Sequence, residues 1–367
     1  MLLDLTQRLP MPVLALGAEL KSTVCLAHGA SAELTEPAVD LQDAASFAAF
    51  MASLDALPRA AGVTPAVIAH DLHPDYLSTK AARDNTVWPG VPRRAIQHHE
   101  AHVASCAASE GIWDSCIGLA FDGTGYGTDG TMWGGEFFVG SIVAGFKRVG
   151  RLRPMLLPGG PAAIREPWRL ALALALEAGV DWPKPADVPD ESWRVVHALA
   201  AQPTTLRSSS MGRLFDGVAA LTGVCLRAGR EAEAAIAIER AAGTTKAGLI
   251  LPLPVTDIAD GMFELDWRPL VTSLAANVLK STISSLAAAF HDALSAAVAE
   301  ACARIAGSGP GIAASGGVFL NQRFTASLRS LLSGRGLWLV TPSRVPCSDA
   351  GLSLGQAVLS SFDNRKS

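Results

Sequence analysis

The sequence predicts a mixed α/β protein built as two lobes around a cleft. Two strand–turn–strand units of similar design lie near residues 11–29 and 116–150, a mostly helical stretch follows residue 160, and strand pattern returns before the C-terminus. At 367 residues the chain exceeds the roughly 100–200 residues of one typical domain. The expected division is residues 1–112 as the first lobe and 113–349 as the second, with the segment 350–367 returning to the first.

Each element has its own signal. In "MPVLALGAELKSTVCLAHG" two apolar runs flank a polar turn carrying Gly17 and Lys21, a hairpin pattern. "SFAAFMASLDALPRAAG" reads as a helix, "AVIAHDLHP" as a strand ending in a polar loop, and "QHHEAHVASCAASEG" as a helix stopping at Gly111. "CIGLAFDGTGYGTDGTMWGGEFFVGSIVAGFKRVG" repeats the hairpin, with "DGTGYGT" as its glycine-rich turn and a third strand after it. "REPWRLALALALEAG" begins with a proline in its first turn and ends at a glycine, as helices do. The proline-rich residues 183–205 read as loop, "MGRLFDGVAALTG" and the alanine-rich span from Pro269 to Gly307 as core helices, and "GLILPLPVTD" as a strand between them. "GIAAS" is a short buried strand, "GGVFLNQRFTASLRSLLSG" a turn and helix, and "LWLVTPS" another strand.

Composition narrows the class of function. Hydrophobic residues make up 49% and charged residues 17% of the chain, which suits a compact enzyme. A net charge of −4 offers no basic field for nucleic acid. Six cysteines are scattered without a C-x-x-C pair, which argues against a thiolate zinc site and suits a reducing compartment. Acidic Asp4 near the start and the lack of a long uncharged apolar run lead us to expect a cytoplasmic protein without a membrane partner.

Three of the eight histidines fall within positions 98–102. On a helix, His98 and His102 at i, i+4 project from one face and can share one ion, although such pairs also occur on solvated faces. His99 points off that face and is expected at the surface or beside the ligands. The glycine-rich turns are the other chemical signal, because a backbone without Cβ can bring N–H donors close to a phosphate. No P-loop motif is present. A hairpin turn with Lys21, a second turn "DGTGYGT" and "SGGVFLN" leading into a helix are, in this order, the parts of an actin-like ATPase cleft between the lobes. The second glycine of "SGG", Gly317, is expected at positive φ.

"HDLHPDYLST", "QHHEAHVAS", "FDGTGYGTDGTMWGGE", "RVGRLRPMLLPGG", "IREPWRLAL", "GRLFDGVAAL" and "SGGVFLNQ" together resemble the successive signatures of the C-terminal module of the HypF carbamoyltransferases of [NiFe]-hydrogenase maturation, from about Leu14 to Gln356. The resemblance implies one metal ion, Fe or Zn, held by His98, His102, Asp122 and Asp349, with Mg possible beside the nucleotide. It assigns nucleotide contacts to Gly123, Thr124, Gly125, Gly316, Gly317, Asn321 and Glu231. Lys21 is the expected charge clamp and joins His98, His102 and Asp122 as the expected catalytic set. The chain departs from the pattern where the usual "YEGQAA" reads "REAEAA", with Arg230, Ala232 and Glu233 substituted. For "HDLHPDYLST" and "IREPWR" the residues alone leave structural and ligand-binding roles open, while Trp168 reads as core.

The implied activity is transfer of a carbamoyl group from carbamoyl adenylate, made from ATP and carbamoyl phosphate, to the C-terminal cysteine of HypE, for synthesis of the cyanide ligands of the hydrogenase. The acylphosphatase-like, zinc-finger and adenylate-forming domains of the complete family protein have no counterpart in the sequence, which is expected to be an excised module or a natural short form. Two alternatives stand beside this: a catalytically weak nucleotide-binding docking subunit, suggested by "REAEAA", and a tRNA threonylcarbamoyl transferase, which shares the histidine pair.

Overall fold

A computed structural model describes residues 1–84, 88–307 and 311–362. The chain up to Ser109 forms strands β1 (Leu2–Asp4), β2 (Val13–Ala15), β3 (Leu20–Ser22), β4 (Cys25–His28), β5 (Ser31–Leu34) and β6 (Ala38–Asp40), then helix α1 (Ala44–Ala61), β7 (Val67–Asp71), α2 (Leu77–Arg83), β8 (Arg93–Ile96) and α3 (His98–Ser109). Its main sheet runs β1-β5-β4-β2-β7-β8. The first four of these pair antiparallel, whereas β7 and β8 join parallel to β2. Helix α1 starts where Asp43 accepts the Ser46 N–H at 2.8 Å and stops at Gly62, whose φ of 64° suits a residue without Cβ.

The second sheet contains β9 (Cys116–Tyr126), β10 (Met132–Ser141), β11 (Gly145–Leu152), β12 (Met155–Leu156), β13 (Arg207–Ser208), β14 (Val255–Asp257), β15 (Phe263–Leu265), β16 (Gly311–Ser315) and β17 (Trp338–Val340). It runs β14-β15-β11-β10-β9-β16-β17, with β13 beside β10 and β12 beside β13. Again an antiparallel meander, β9-β10-β11, is extended by parallel strands, here β16 and β17. The duplication expected from the two hairpins is thus a duplication of sheet layout.

Helices α4 (Pro161–Arg165), α5 (Trp168–Ala178), α6 (Asp190–Ala200), α7 (Met211–Leu221), α8 (Glu233–Ala242), α9 (Arg268–Asn277), α10 (Ile283–Ile305) and α11 (Gln322–Ser333) accompany the second sheet. Their main core gathers Phe121, Phe137, Phe215, Trp267, Phe290 and Phe324, all nearly or fully buried. Helix α10 is long and apolar enough to cross a membrane, but 72% of its apolar window is buried inside the protein. Helix α12 (Leu352–Phe362) packs on β2, β4 and β7 and lies along α3; residues 363–367 of the expected returning segment lie outside the described residues.

Three local expectations differ from the structure. Residues 190–200, inside the presumed loop, form α6, because Pro189 stands at the N-cap, where a missing N–H costs nothing. Only Val255–Asp257 of "GLILPLPVTD" is strand, since Pro252 and Pro254 remove ladder donors. The "DGTG" segment is the last part of β9 rather than a turn, and the chain reverses at Gly127–Thr131, where the Gly127 N–H bonds the Thr131 carbonyl at 2.9 Å.

Candidate functional site

Helix α3 enters directly from β8, with Gln97 accepting the His99 and Glu100 N–H groups at 2.6 and 3.0 Å. It is held against α12 at backbone contact: a Cβ on Gly355 would lie 1.8 Å from the Ala101 carbonyl oxygen. Ala101 stands between His98 and His102, so this crossing sets the height of both imidazoles.

His98, His102, Asp122 and Asp349 each direct one donor atom into a common space, all within 4.8 Å of one another. Asp122 comes from β9. Asp349 opens a short 3-10 turn tied to α3 by the Ser105 hydroxyl donating to the Gly351 carbonyl at 2.7 Å, and to the first sheet by Thr23 donating to the Ala350 carbonyl at 3.0 Å. His102 Nε2 lies 3.5 Å from Asp122 and 3.4 Å from Asp349, and His98 Nε2 lies 3.7 and 3.8 Å from the same carboxylates.

These gaps are wider than good hydrogen bonds, and among the described residues both Nε2 atoms are buried without a hydrogen-bond partner. They match the spacing of ligands around an ion: donors at about 2.1 Å in a tetrahedron stand roughly 3.4 Å apart. Two imidazoles and two carboxylates suit Fe or Zn. Behind the pair, fully buried Asp71 receives His98 Nδ1–H at 2.7 Å, which presents Nε2 to the common space. His102 Nδ1 has Ser315 Oγ at 3.4 Å. The donor set therefore fits a metal ion.

Charge in the cluster is strongly coupled. Burial lowers the proton affinity of His98, but Asp71, Asp122 and Asp349 outweigh it and hold the imidazole well above its ordinary pKa. His102 is raised by Asp122 and Asp349 against the same burial cost. Asp122 is pushed up by burial and pulled further down by the two imidazoles, ending well below the usual carboxylate range.

His99 is not at the surface. It is fully buried and held far below its ordinary pKa by burial and by the neighbouring imidazoles, and its ring tilts against Trp133 at 6.0 Å. Gly125 passes over these rings: a Cβ there would meet His99 at 2.5 Å and His98 at 2.9 Å, so its glycine identity serves packing on the histidines. Gly123 and Thr124 continue from Asp122 and remain partly open. Opposite them, Gly316 and not Gly317 has positive φ, 108°, and a Cβ at Gly316 would stand 2.2 Å from the Phe121 carbonyl. The Gly317 N–H donates to Asp122 Oδ1 at 3.2 Å.

Asn321 is largely buried; its carbonyl oxygen caps α11 at the Phe324 N–H, 2.9 Å, and its amide faces His291 Nε2 at 3.0 Å. Lys21 and Glu231, expected to act on nucleotide separately, bind each other at 2.8 and 2.9 Å. Ala232, standing where the resembled pattern has glycine, adopts φ 57°, a left-handed conformation that costs an alanine more than a glycine.

Sequence reasoning missed Asp71, whose signal was its place at the end of a strand in "HDLHPDYLST". The same motif brings His73 onto Tyr76, stacked at 4.2 Å, and against Tyr126 at 5.3 Å, forming an aromatic flank beside the carboxylates. Burial first, then Asp71, Asp349 and Asp122, raise the Tyr76 hydroxyl far above its ordinary pKa. A cavity of about 910 Å³ beside Leu320, lined by Ile236, Glu239, Arg240, Lys246 and Arg323, also had no sequence signal. Arg165 is exposed, and Trp168 is core as expected.

The family described as "HypF Kae1-like domain" matches residues 8–109, and that described as "Carbamoyltransferase, Kae1-like Domain, second subdomain" matches residues 118–356. A carbamoyltransferase HypF homolog of Cupriavidus necator is 40% identical over 94% of this chain and 90% of its own length. The chain belongs to the HypF carbamoyltransferase family. HypF2 of the same organism is 36% identical over 94% of this chain but only 46% of its own length. A crystal structure of full-length HypF in the phosphate- and nucleotide-bound form superposes with a TM-score of 0.86 at 30% identity, covering 98% of this chain and 57% of that one. HypF of T. kodakarensis gives 0.87 at 27%, covering 99% and 49%. The chain thus spans about half the length of several HypF relatives, and the fold is the two-lobed actin-like one of the family.

Proposed function

We propose that the chain transfers a carbamoyl group from carbamoyl adenylate, bound in the cleft, to the C-terminal cysteine thiolate of HypE, releasing AMP. The observation that carries this is the convergence of His98, His102, Asp122 and Asp349 beside the Gly123–Thr124 and Gly316–Gly317 backbones in a HypF-family chain. The thiolate attacks the carbamoyl carbon, the bond from that carbon to the phosphate oxygen breaks, and AMP departs with the electron pair. A bound Fe or Zn ion would supply Lewis acidity at the carbamoyl or phosphate oxygen. Asp71 keeps His98 in the tautomer that presents Nε2; the Gly316 and Gly317 N–H groups are taken by the Cys347 carbonyl and Asp122 Oδ1, so the partly open backbone at Gly123 and Thr124 is the proposed place for phosphate oxygens. The cavity beside Leu320 is the proposed seat of the adenosine, and a nucleotide-bound HypF supports nucleotide binding here.

The thiol comes from the partner, because this chain has no cysteine poised to react. Five of its six cysteines are buried, and burial pushes Cys347, two residues before Asp349, up to about 11. A second reading, a nucleotide-binding docking subunit with weak catalysis, is favoured by the Lys21–Glu231 pair and strained Ala232. The purified chain, preformed carbamoyl adenylate and HypE separate the two. Mass spectrometry of HypE is expected to find the carbamoyl adduct; no adduct, under conditions where a full-length HypF makes one, selects the docking subunit.

A further inference from the structure

With Lys21 tied to Glu231, the cleft needs another cation to meet a phosphate. Arg213 has the required features. It lies on the first turn of α7, its side chain is only 8% exposed, and one guanidinium nitrogen, Nη2, pairs with Asp216 at 3.0 Å. The other two, Nε and Nη1, are buried without a hydrogen-bond partner among the described residues. A buried guanidinium with two open donors is costly unless something accepts from them.

Its surroundings say what that acceptor is. Nη2 would lie 3.6 Å from a Cβ on Gly123, so the guanidinium borders the strand segment that follows Asp122. The α7 N-terminus is pressed against the same segment: a Cβ on Gly212 would meet Gly123 Cα at 3.1 Å. Ser210 fixes the junction by donating to the Asp122 carbonyl at 2.8 Å and accepting the Arg213 N–H at 3.1 Å. A helix N-terminus, the backbone at Gly123 and a guanidinium that borders Gly123 through Nη2 and keeps Nε and Nη1 unpartnered among the described residues thus lie together, a combination suited to a tetrahedral oxyanion.

We infer that Arg213 is a phosphate-binding residue, its guanidinium beside Gly123 reaching phosphoryl oxygens through Nε and Nη1 while Asp216 anchors Nη2. For a nucleotide phosphate this rests on the function proposed above; for an inorganic anion it does not.

Calorimetric titrations of pyrophosphate, ATP and adenosine against wild type, Arg213→Gln and Arg213→Lys test it, with thermal unfolding as a check on folding. Wild type is expected to bind pyrophosphate and ATP, Arg213→Gln to lose about tenfold or more for both with adenosine unchanged, and Arg213→Lys to fall between. Equal pyrophosphate binding by wild type and Arg213→Gln, or none by wild type, overturns the assignment. Arg213-dependent binding of pyrophosphate without any binding of ATP leaves the assignment standing and removes the nucleotide reading. Should Arg213→Gln fail to fold, the Nε–H resonance of Arg213 in wild type, assigned through Arg213→Lys, decides: a shift on adding pyrophosphate supports the contact, and an unmoved signal at saturation overturns it.

Discussion

Lys21 Nζ grips both carboxylate oxygens of Glu231, at 2.8 and 2.9 Å, joining the hairpin of the first sheet to the segment that precedes α8. Both side chains are well exposed, 42% and 69%, so the pair adds less than about 1 kcal/mol to stability. Lys21→Met and Glu231→Gln should therefore leave the unfolding temperature nearly unchanged. If Glu231 also holds the ribose, Glu231→Gln weakens ATP about fivefold or more in calorimetry, while Lys21→Met frees the carboxylate and does not. Equal losses in both would mean that the closed pair itself shapes the site.

Beside it, Ala232 at φ 57° sits in a conformation that glycine adopts without penalty. Ala232→Gly should stabilise the protein by roughly 0.5–1 kcal/mol in urea unfolding, the relief of strain exceeding the entropy that glycine adds to the unfolded chain. A destabilised variant would show that the alanine methyl makes compensating contacts.

His98→Ala or His102→Ala should abolish metal binding in elemental analysis while the far-UV spectrum persists, since each removes one of four donors. Asp71→Asn tests the layer behind them. Loss of the carboxylate at 2.7 Å from His98 Nδ1 should weaken the metal roughly 10- to 100-fold without removing the site. Unchanged metal content in both histidine variants would place the ion elsewhere.

The histidine pair was legible because i, i+4 spacing on a helix is local information. Asp122 and Asp349 were reached only through resemblance, since neither carries a sign that β9 and a turn before α12 bring it to the same point. Periodicity misplaced "DGTG" as a turn, because glycine there answers the rings of His98 and His99 and not a reversal of the chain. His99 looked exposed beside two ligands, yet α3 is buried on nearly all sides between α12 and the second sheet, and facing residues cannot be read from one helix alone. Pro183, Pro185 and Pro189 masked α6 for a similar reason: they lead into the helix and are read as breaking it.

Gly355 carries the contact that sets α3. Its replacement by Ala puts a methyl 1.8 Å from the Ala101 carbonyl, and because the obstacle is backbone, α12 and α3 must separate. Gly355→Ala should cost about 2 kcal/mol or more in unfolding and lower metal affinity along with it. Retained metal affinity in a destabilised variant would show that the histidines are held by β8 and Gln97 and not by α12.

His291 makes the fold sensitive to acid. His291 is fully buried, its Nδ1 against the Ala287 carbonyl at 2.7 Å and its Nε2 facing the Asn321 amide at 3.0 Å. Nδ1 therefore carries the proton, Nε2 accepts, and a second proton on Nε2 would oppose the amide. Burial accordingly lowers the pKa from 6.5 to about 4, despite the bond to Ala287. Between those values the unfolded chain binds a proton that the folded one does not, so stability rises with pH and is lost as pH falls from about 6.5 toward 4. At about 1.4 kcal/mol per unit, the full loss is about 3 kcal/mol. Urea unfolding of wild type and His291→Gln at pH 7 and pH 4.5 measures it: the variant should be less stable at neutral pH, with part of the wild-type acid loss gone. An identical pH dependence in the two would remove His291 as the source of the acid loss; the His98–His102 pair cannot take its place, because its raised pKa values stabilise the fold on the acid side.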